Sequence, residues 1–147
     1  MDSIISRDSV VLKQLKNRAK MRLPALANNA MKANESYLVE VQQDQMRDSR
    51  NAKGLNPVYS PLSQELKSQS DTYRGQWPHM DFYDTGDFQD NMFLKNDGSF
   101  DSTDWKTNTL IQDYGPEILQ PDPSTLELGQ SVVTEDYFKQ VHKELNK

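Results

Sequence analysis

The chain of 147 residues contains no cysteine. Disulfides, thiolate catalysis and zinc–thiolate sites are excluded with it, and the redox compartment is left unconstrained. No apolar run approaches the roughly 18 residues that a membrane-spanning helix needs, so no span is expected. The opening residues, Met1-Asp2-Ser3-Ile4-Ile5, have neither a basic n-region nor an apolar h-region. A soluble protein that stays in the cell that made it is therefore expected. Histidine is scarce: His79 and His142 stand alone, without a second ligand at a recognisable spacing. There is no glycine-rich phosphate loop and no serine in a nucleophile elbow. Apolar residues make up only 35% of the chain, which is low for a globular domain. One modest core is expected, with polar arms and loops outside it that find burial on a partner.

Charge is present but unevenly placed. Residues 1–50 hold nine Lys/Arg and six Asp/Glu, a balance of +3, whereas residues 51–147 hold eight and sixteen, a balance of −8. Such a chain can pair head to tail with copies of itself or sit between unlike partners. It has no basic patch of the kind that sequence-specific DNA binding requires.

The pattern predicts a single domain over 1–147. Residues 8–22 read as a short basic helix with Val11, Leu15 and Ala19 on one face, and residues 1–23 as a whole form an N-terminal arm. Pro24 opens a long amphipathic helix over 24–46, whose stripe is Leu26, Ala30, Ala33, Tyr37 and Val41, flanked by Ala27, Met31 and Leu38. Residues 42–54 are polar and without period. Ser60 and Pro61 cap and open a short helix with Leu62 and Leu66 on its apolar edge. The second half reads as strands. Asp97-Gly98 is a two-residue hairpin turn between a strand near 88–95 and another near 99–105. Thr134 caps a C-terminal helix over 134–147 with a buried stripe of Phe138, Val141 and Leu145. Helices, then a hairpin-containing antiparallel sheet, then a helix make an α+β order.

The stretch "MDFYDTGDFQDNMF" holds Asp84-Thr85-Gly86, the triplet that carries the catalytic carboxylate of aspartic proteases. That chemistry needs two carboxylates sharing a proton, so a chain of this size would have to dimerise. Asp87 follows where such sites carry a small residue, and the helical first third does not suit their nearly all-β fold. Asp81, Asp84, Asp87 and Asp90 recur every third residue, but the EF-hand spacing is absent, and the expectation is a solvated acidic edge with no metal. Tyr73, Trp77, Phe82, Tyr83, Phe88 and Phe93 crowd residues 73–93. Half of them are expected in the core, with Tyr73, Arg74 and Trp77 as candidate interface anchors. Neither catalytic residues nor a cofactor are expected.

The order "GLNPVYSPLSQELKSQ", "FYDTGDFQDNMFL", the Asp-Gly hairpin, "STDWKTNTLIQDYG" and "LEL" resembles small virion proteins of tailed phages, particularly phages of Bacteroidota and crAss-like phages. The Pro-x-Tyr-Ser, Asp-Thr-Gly-Asp-Phe and Thr-Asp-x-Lys elements carry the resemblance, which covers roughly residues 54–128. The Thr-Gly turn is also similar to one in head–tail connector and tail-completion proteins, from which this chain departs at Asp87, Phe88 and Gln89. The resemblance implies a connector-like α+β core over 54–128. It makes Asp84, Thr85, Gly86 and Phe88 a structural turn launching a strand, with Asp84 capping it and Phe88 pointing inward. It further implies a structural virion protein of the phage neck, made in the host cytoplasm and forming a homo-oligomeric ring of roughly six or twelve copies. The ring would dock on the portal or neighbouring neck and tail proteins and pass double-stranded DNA without reading its sequence, the acids of 81–122 lining the conduit; no membrane is involved. A tail terminator or other tail component, a small Asp-Thr-Gly protease and an intracellular protein-binding adaptor are the alternatives.

Overall fold

A computed structural model describes residues 25–146. The fold is α+β. Two compact units separate by their internal contacts, one being residues 35–130 and the other comprising, among the described residues, 25–34 and 131–146. The basic helix expected over 8–22 lies outside the described residues.

The larger unit begins with α2 (Glu35–Arg47), preceded by helical residues 25–33 (α1). The helix expected to run unbroken through 24–46 is interrupted at Asn34, whose side-chain amide donates to the Ala30 carbonyl at 2.8 Å and to Asp136 at 2.8 Å. An asparagine that bonds its own backbone competes with the helical ladder. The buried face also differs from the expected stripe. α2 buries Leu38, Gln42, Gln45 and Met46, while Ala33 and Tyr37 are exposed. Gln45 explains the rotation: it donates to the Gln120 carbonyl at 2.9 Å and accepts from the Asp122 amide at 2.6 Å. This turns a polar side chain inward, where its amide pairs both backbone groups of a passing segment.

After α2, Ser49 turns the chain at a φ of 62° into a small hairpin of β1 (Arg50–Asn51) and β2 (Gly54–Leu55). This hairpin lies in the stretch the sequence pattern left without period. α3 (Pro61–Ser68) follows, with Ser60 accepting from the Ser63 amide and Pro61 in the first turn as expected. The strand expected near 88–95 is shorter: Asp87–Asp90 form a single helical turn, α4, and β3 covers only Met92–Leu94, paired antiparallel with β4 (Phe100–Ser102). The connection is a three-residue loop, not a two-residue one. Gly98 donates to the Lys95 carbonyl in a tight turn and takes a φ of 85°, and Lys95 then donates to Ser99. This is the type I turn plus left-handed residue that such loops favour, and Asp97 accepts from both the Ser99 amide and hydroxyl.

In the half read mainly as strands, residues 107–119 are helical: α5 (Thr107–Tyr114) and a 3-10 turn (Pro116–Leu119). The C-terminal helix is present as expected but longer, α6 covering Pro123–Leu145. The starting signals are local. Asp104 accepts from the Lys106 amide at 2.8 Å, and Asp122 accepts from the Thr125 amide at 2.8 Å with Pro123 in the first turn. α6 therefore starts eleven residues before the expected Thr134 cap. Phe138 is 62% exposed and Leu145 is exposed as well, so the expected C-terminal stripe is not buried.

The core lies in the larger unit. Met46, Phe82, Phe88, Met92, Ile118 and Leu119 cluster there, backed by Val39, Met80, Phe100, Leu110 and Ile111. Each fully buried side chain contributes about 1.5–3 kcal/mol. The core stays small because polar groups occupy much of the interior, among them Gln42, Gln45, Asn56, Asp81 and Gln89.

Candidate functional site

The most organised site is a cleft of about 400 Å³ between α3 and the segment 80–88. Leu66, Met80, Phe82, Phe88 and Leu110 wall it, and Asp84, Thr85, Asp87 and Lys106 edge it. Its construction starts at the prolines. Pro57 and Pro78 flank a short antiparallel pairing in which Tyr59 donates to the Pro78 carbonyl at 3.0 Å and Met80 to the Pro57 carbonyl at 2.9 Å. That pairing sets Tyr59 beside Asp81. Phe82 then takes a φ of 52°, in the left-handed region that a bulky side chain avoids at a cost of about 1–3 kcal/mol. The kink lets Asp81 and Phe82 both turn inward.

Asp81 is 1% exposed. The Tyr59 hydroxyl donates to its Oδ1 at 2.5 Å, the Tyr83 amide donates at 3.2 Å, and Lys67 Nζ lies at 3.3 Å. Lys67 also donates to the Tyr83 carbonyl. Burial, then the Asp81 hydrogen bond and charge, pushes the Tyr59 phenol well above the usual tyrosine value, so it remains a donor. A lysine committed to a carboxylate and a protonated tyrosine make a poor nucleophile and a poor base. Chemically the cluster is a rivet. It joins α3, the strand-like residues at 57–59 and the 80–84 turn beneath the cleft.

A second network supports it. Ser49 and Tyr73 both donate to the His79 carbonyl, at 3.1 and 2.7 Å, and the Gln76 amide donates to Ser49 at 3.1 Å. Asn56 donates to the Met80 carbonyl at 2.7 Å. Burial raises the Tyr73 phenol too. Gln89, fully buried, donates to the Asp81 carbonyl at 2.8 Å and accepts from Arg47, whose guanidinium lies 5.4 Å from the Tyr83 ring centre.

The residues singled out from sequence fall in three places. Asp84, Thr85 and Gly86 edge the cleft. Gly86 has a φ of 92°, a conformation that favours glycine; a Cβ there would also meet the Tyr83 hydroxyl at 2.9 Å, and that side chain would have to move to accept it. The turn launches α4 before β3, and its hydrogen bonds come from Thr85 and Asp87, with Asp84 exposed instead of capping. Phe88 is in the core. Tyr73, Arg74 and Trp77 are not on the cleft. Tyr73 stacks edge-on between Tyr59 and Trp77, with ring centres 6.4 and 5.4 Å apart, while Trp77 and Arg74 are exposed. Asp97 and Gly98 form the β3–β4 turn, away from the cleft. Of the aspartates spaced by three, Asp81 points inward and Asp84, Asp87 and Asp90 outward. Among the described residues no group of three or more His, Asp or Glu is placed to hold a metal.

Asp81 was expected on a solvated acidic edge with Asp84, Asp87 and Asp90, and it is buried instead, with Tyr59 and Lys67 on it; neither partner was singled out from sequence. The Pro57 and Pro78 punctuation was a visible sign of two extended segments, but nothing in the spacing says that they pair. No protein-family model matches the chain, and no curated protein or solved structure matches it.

Proposed function

We propose that the chain is a structural subunit of a homo-oligomeric ring in the neck of a tailed-phage particle, joining the portal to the tail and continuing the DNA conduit. The observation that carries the reading is how charge divides between the two units. Residues 35–130 hold seventeen Asp/Glu and seven Lys/Arg, a balance of −10, whereas residues 1–34 hold two and seven, a balance of +5, and residues 131–147 are balanced at three and three. Opposite charge on one chain favours association of unlike faces of successive copies. Heterologous contacts of that kind close into rings where the rotation between successive subunits returns to the start. Exposed apolar side chains on the acidic unit, including Trp105 at 82% exposure, supply contact area. An acidic conduit would let DNA slide, since like charge denies phosphate a resting place.

Immunogold labelling of intact particles tests the proposal. Label confined to the vertex where head meets tail is the expected result. Protein recovered only from lysate, with unlabelled particles, would overturn it. So would a proteolytic activity of the purified chain that Asp84→Asn abolishes.

A further inference from the structure

Among the described residues, nothing packs over the apolar edge of the amphipathic helix α3. None of its residues is buried, and Leu62 and Leu66 are 69% and 66% exposed. Leu66 continues directly into the cleft wall beside Met80, Phe82 and Leu110. The result is an apolar trough with Asp84 and Asp87 on its edge. Lys67 beneath it is neutralised by Asp81, leaving Lys106 as the basic group of the lining. The unit around the trough carries the −10 balance. The same chain holds a segment of opposite chemistry. Residues 1–24 contain six Lys/Arg and two Asp/Glu, a balance of +4, and place Val11, Leu15 and Ala19 four residues apart among Lys13, Lys16 and Lys20. Apolar residues at that spacing with basic neighbours are what an acid-edged apolar groove accepts.

We propose that the trough between α3 and residues 80–88 receives the basic N-terminal segment, residues 7–22, of a second copy. This rests on the ring assignment and specifies its subunit contact: Val11, Leu15 and Ala19 lie against Leu62 and Leu66, and the flanking lysines face Asp84 and Asp87. Each copy donates one segment and receives one, so the contact propagates from subunit to subunit.

The absence of native cysteine permits a direct test on the full-length chain. Leu15→Cys and Leu66→Cys are made in separate preparations, mixed at high concentration and treated with a short bis-maleimide. A covalent heterodimer is expected, its yield falling several-fold toward about 1 M salt, where the screening length shrinks to about 3 Å. Ala19→Cys with Ser63→Cys serves as an independent pair. Homodimers of Leu66→Cys in place of heterodimers would overturn the proposal in favour of face-to-face packing of α3. Cross-linking only within a doubly substituted chain would overturn it in favour of docking in cis. No cross-link from either pair would overturn the docking site while leaving the neck assignment to particle labelling, which reads location and not contact.

Discussion

α2 and α3 belong to the same unit and treat their side chains in opposite ways. α2 buries Gln42 and Gln45 alongside Leu38 and Met46, whereas α3 buries nothing and leaves both leucines in solvent. Apolar periodicity put the stronger stripe on the segment that contains α2, but not on the residues that α2 buries. The difference is in what holds each helix. α2 is fixed by core packing at Met46 and by the paired Gln45 amide bonds to residues 120–122. α3 is fixed from its ends: the Ser60 cap, Gln64 donating to the Tyr59 carbonyl at 2.8 Å, and Lys67 on Asp81 and Tyr83. A helix held by polar anchors can keep its apolar edge free for another surface.

Asp81→Ala attacks the α3 anchor most severely. It strands Lys67 in a largely buried position and is expected to cost about 3–5 kcal/mol in urea unfolding. The Lys67→Met/Asp81→Leu pair should recover most of that loss. If Asp81→Ala is nearly neutral, the anchor account of α3 is wrong. On the α2 side, Met46→Ala opens a cavity under a fully buried side chain and should cost about 2–5 kcal/mol. Gly86→Ala, which strains the turn at the cleft edge, should cost about 1–3 kcal/mol in urea unfolding while the aromatic near-UV circular dichroism of the folded state is retained.

Asp122, whose backbone amide meets Gln45, gives a pH test of the carboxylate contacts that start α6 and hold Arg50. Burial opposes its ionisation, but the Thr125 and Ser124 hydrogen bonds and the Arg50 charge outweigh it and hold the carboxyl below its ordinary value. A folded pKa lower than the unfolded one adds stability above about pH 4, and that stability is lost as pH falls through the folded value. The urea midpoint of the wild type should therefore drop more steeply below pH 4 than that of Asp122→Asn. Equal slopes would remove Asp122 from the account. The smallest effect belongs to α3: Leu62→Ser with Leu66→Ser should change the stability of the isolated chain by no more than about 0.5 kcal/mol per site, because none of the described residues covers them. A larger loss would mean that the edge is buried in solution.

Local chemistry was legible. Ser60-Pro61 announced the start of α3, Gly86 and Gly98 marked positions of positive φ, and the α+β class followed from the order of segments. Where reading failed, the signals were often present but outweighed. Asp104 and Asp122-Pro123 are good helix starts, yet the start of the last helix was placed at Thr134, where Glu135 and Asp136 also favour an N-terminus. The end of the helix expected over 24–46 falls within one residue of Arg47, but the burial of Gln42 and Gln45 in it was not legible, because glutamine is rarely read as an interior residue.

By itself the sequence determined that no thiol chemistry is possible, where several helices and turns begin, and how strongly charge separates along the chain. These depend on residue identity or on neighbours a few positions away, where capping, proline geometry and glycine's freedom act. Only the tertiary structure decided which face of α2 is inside, that Tyr59 and Lys67 meet Asp81, that Gln45 pairs with a segment 75 and 77 residues on, and that the leucines of α3 stay outside. Those outcomes turn on matching buried donors to acceptors across long loops, and no local period records which distant partner will satisfy which group.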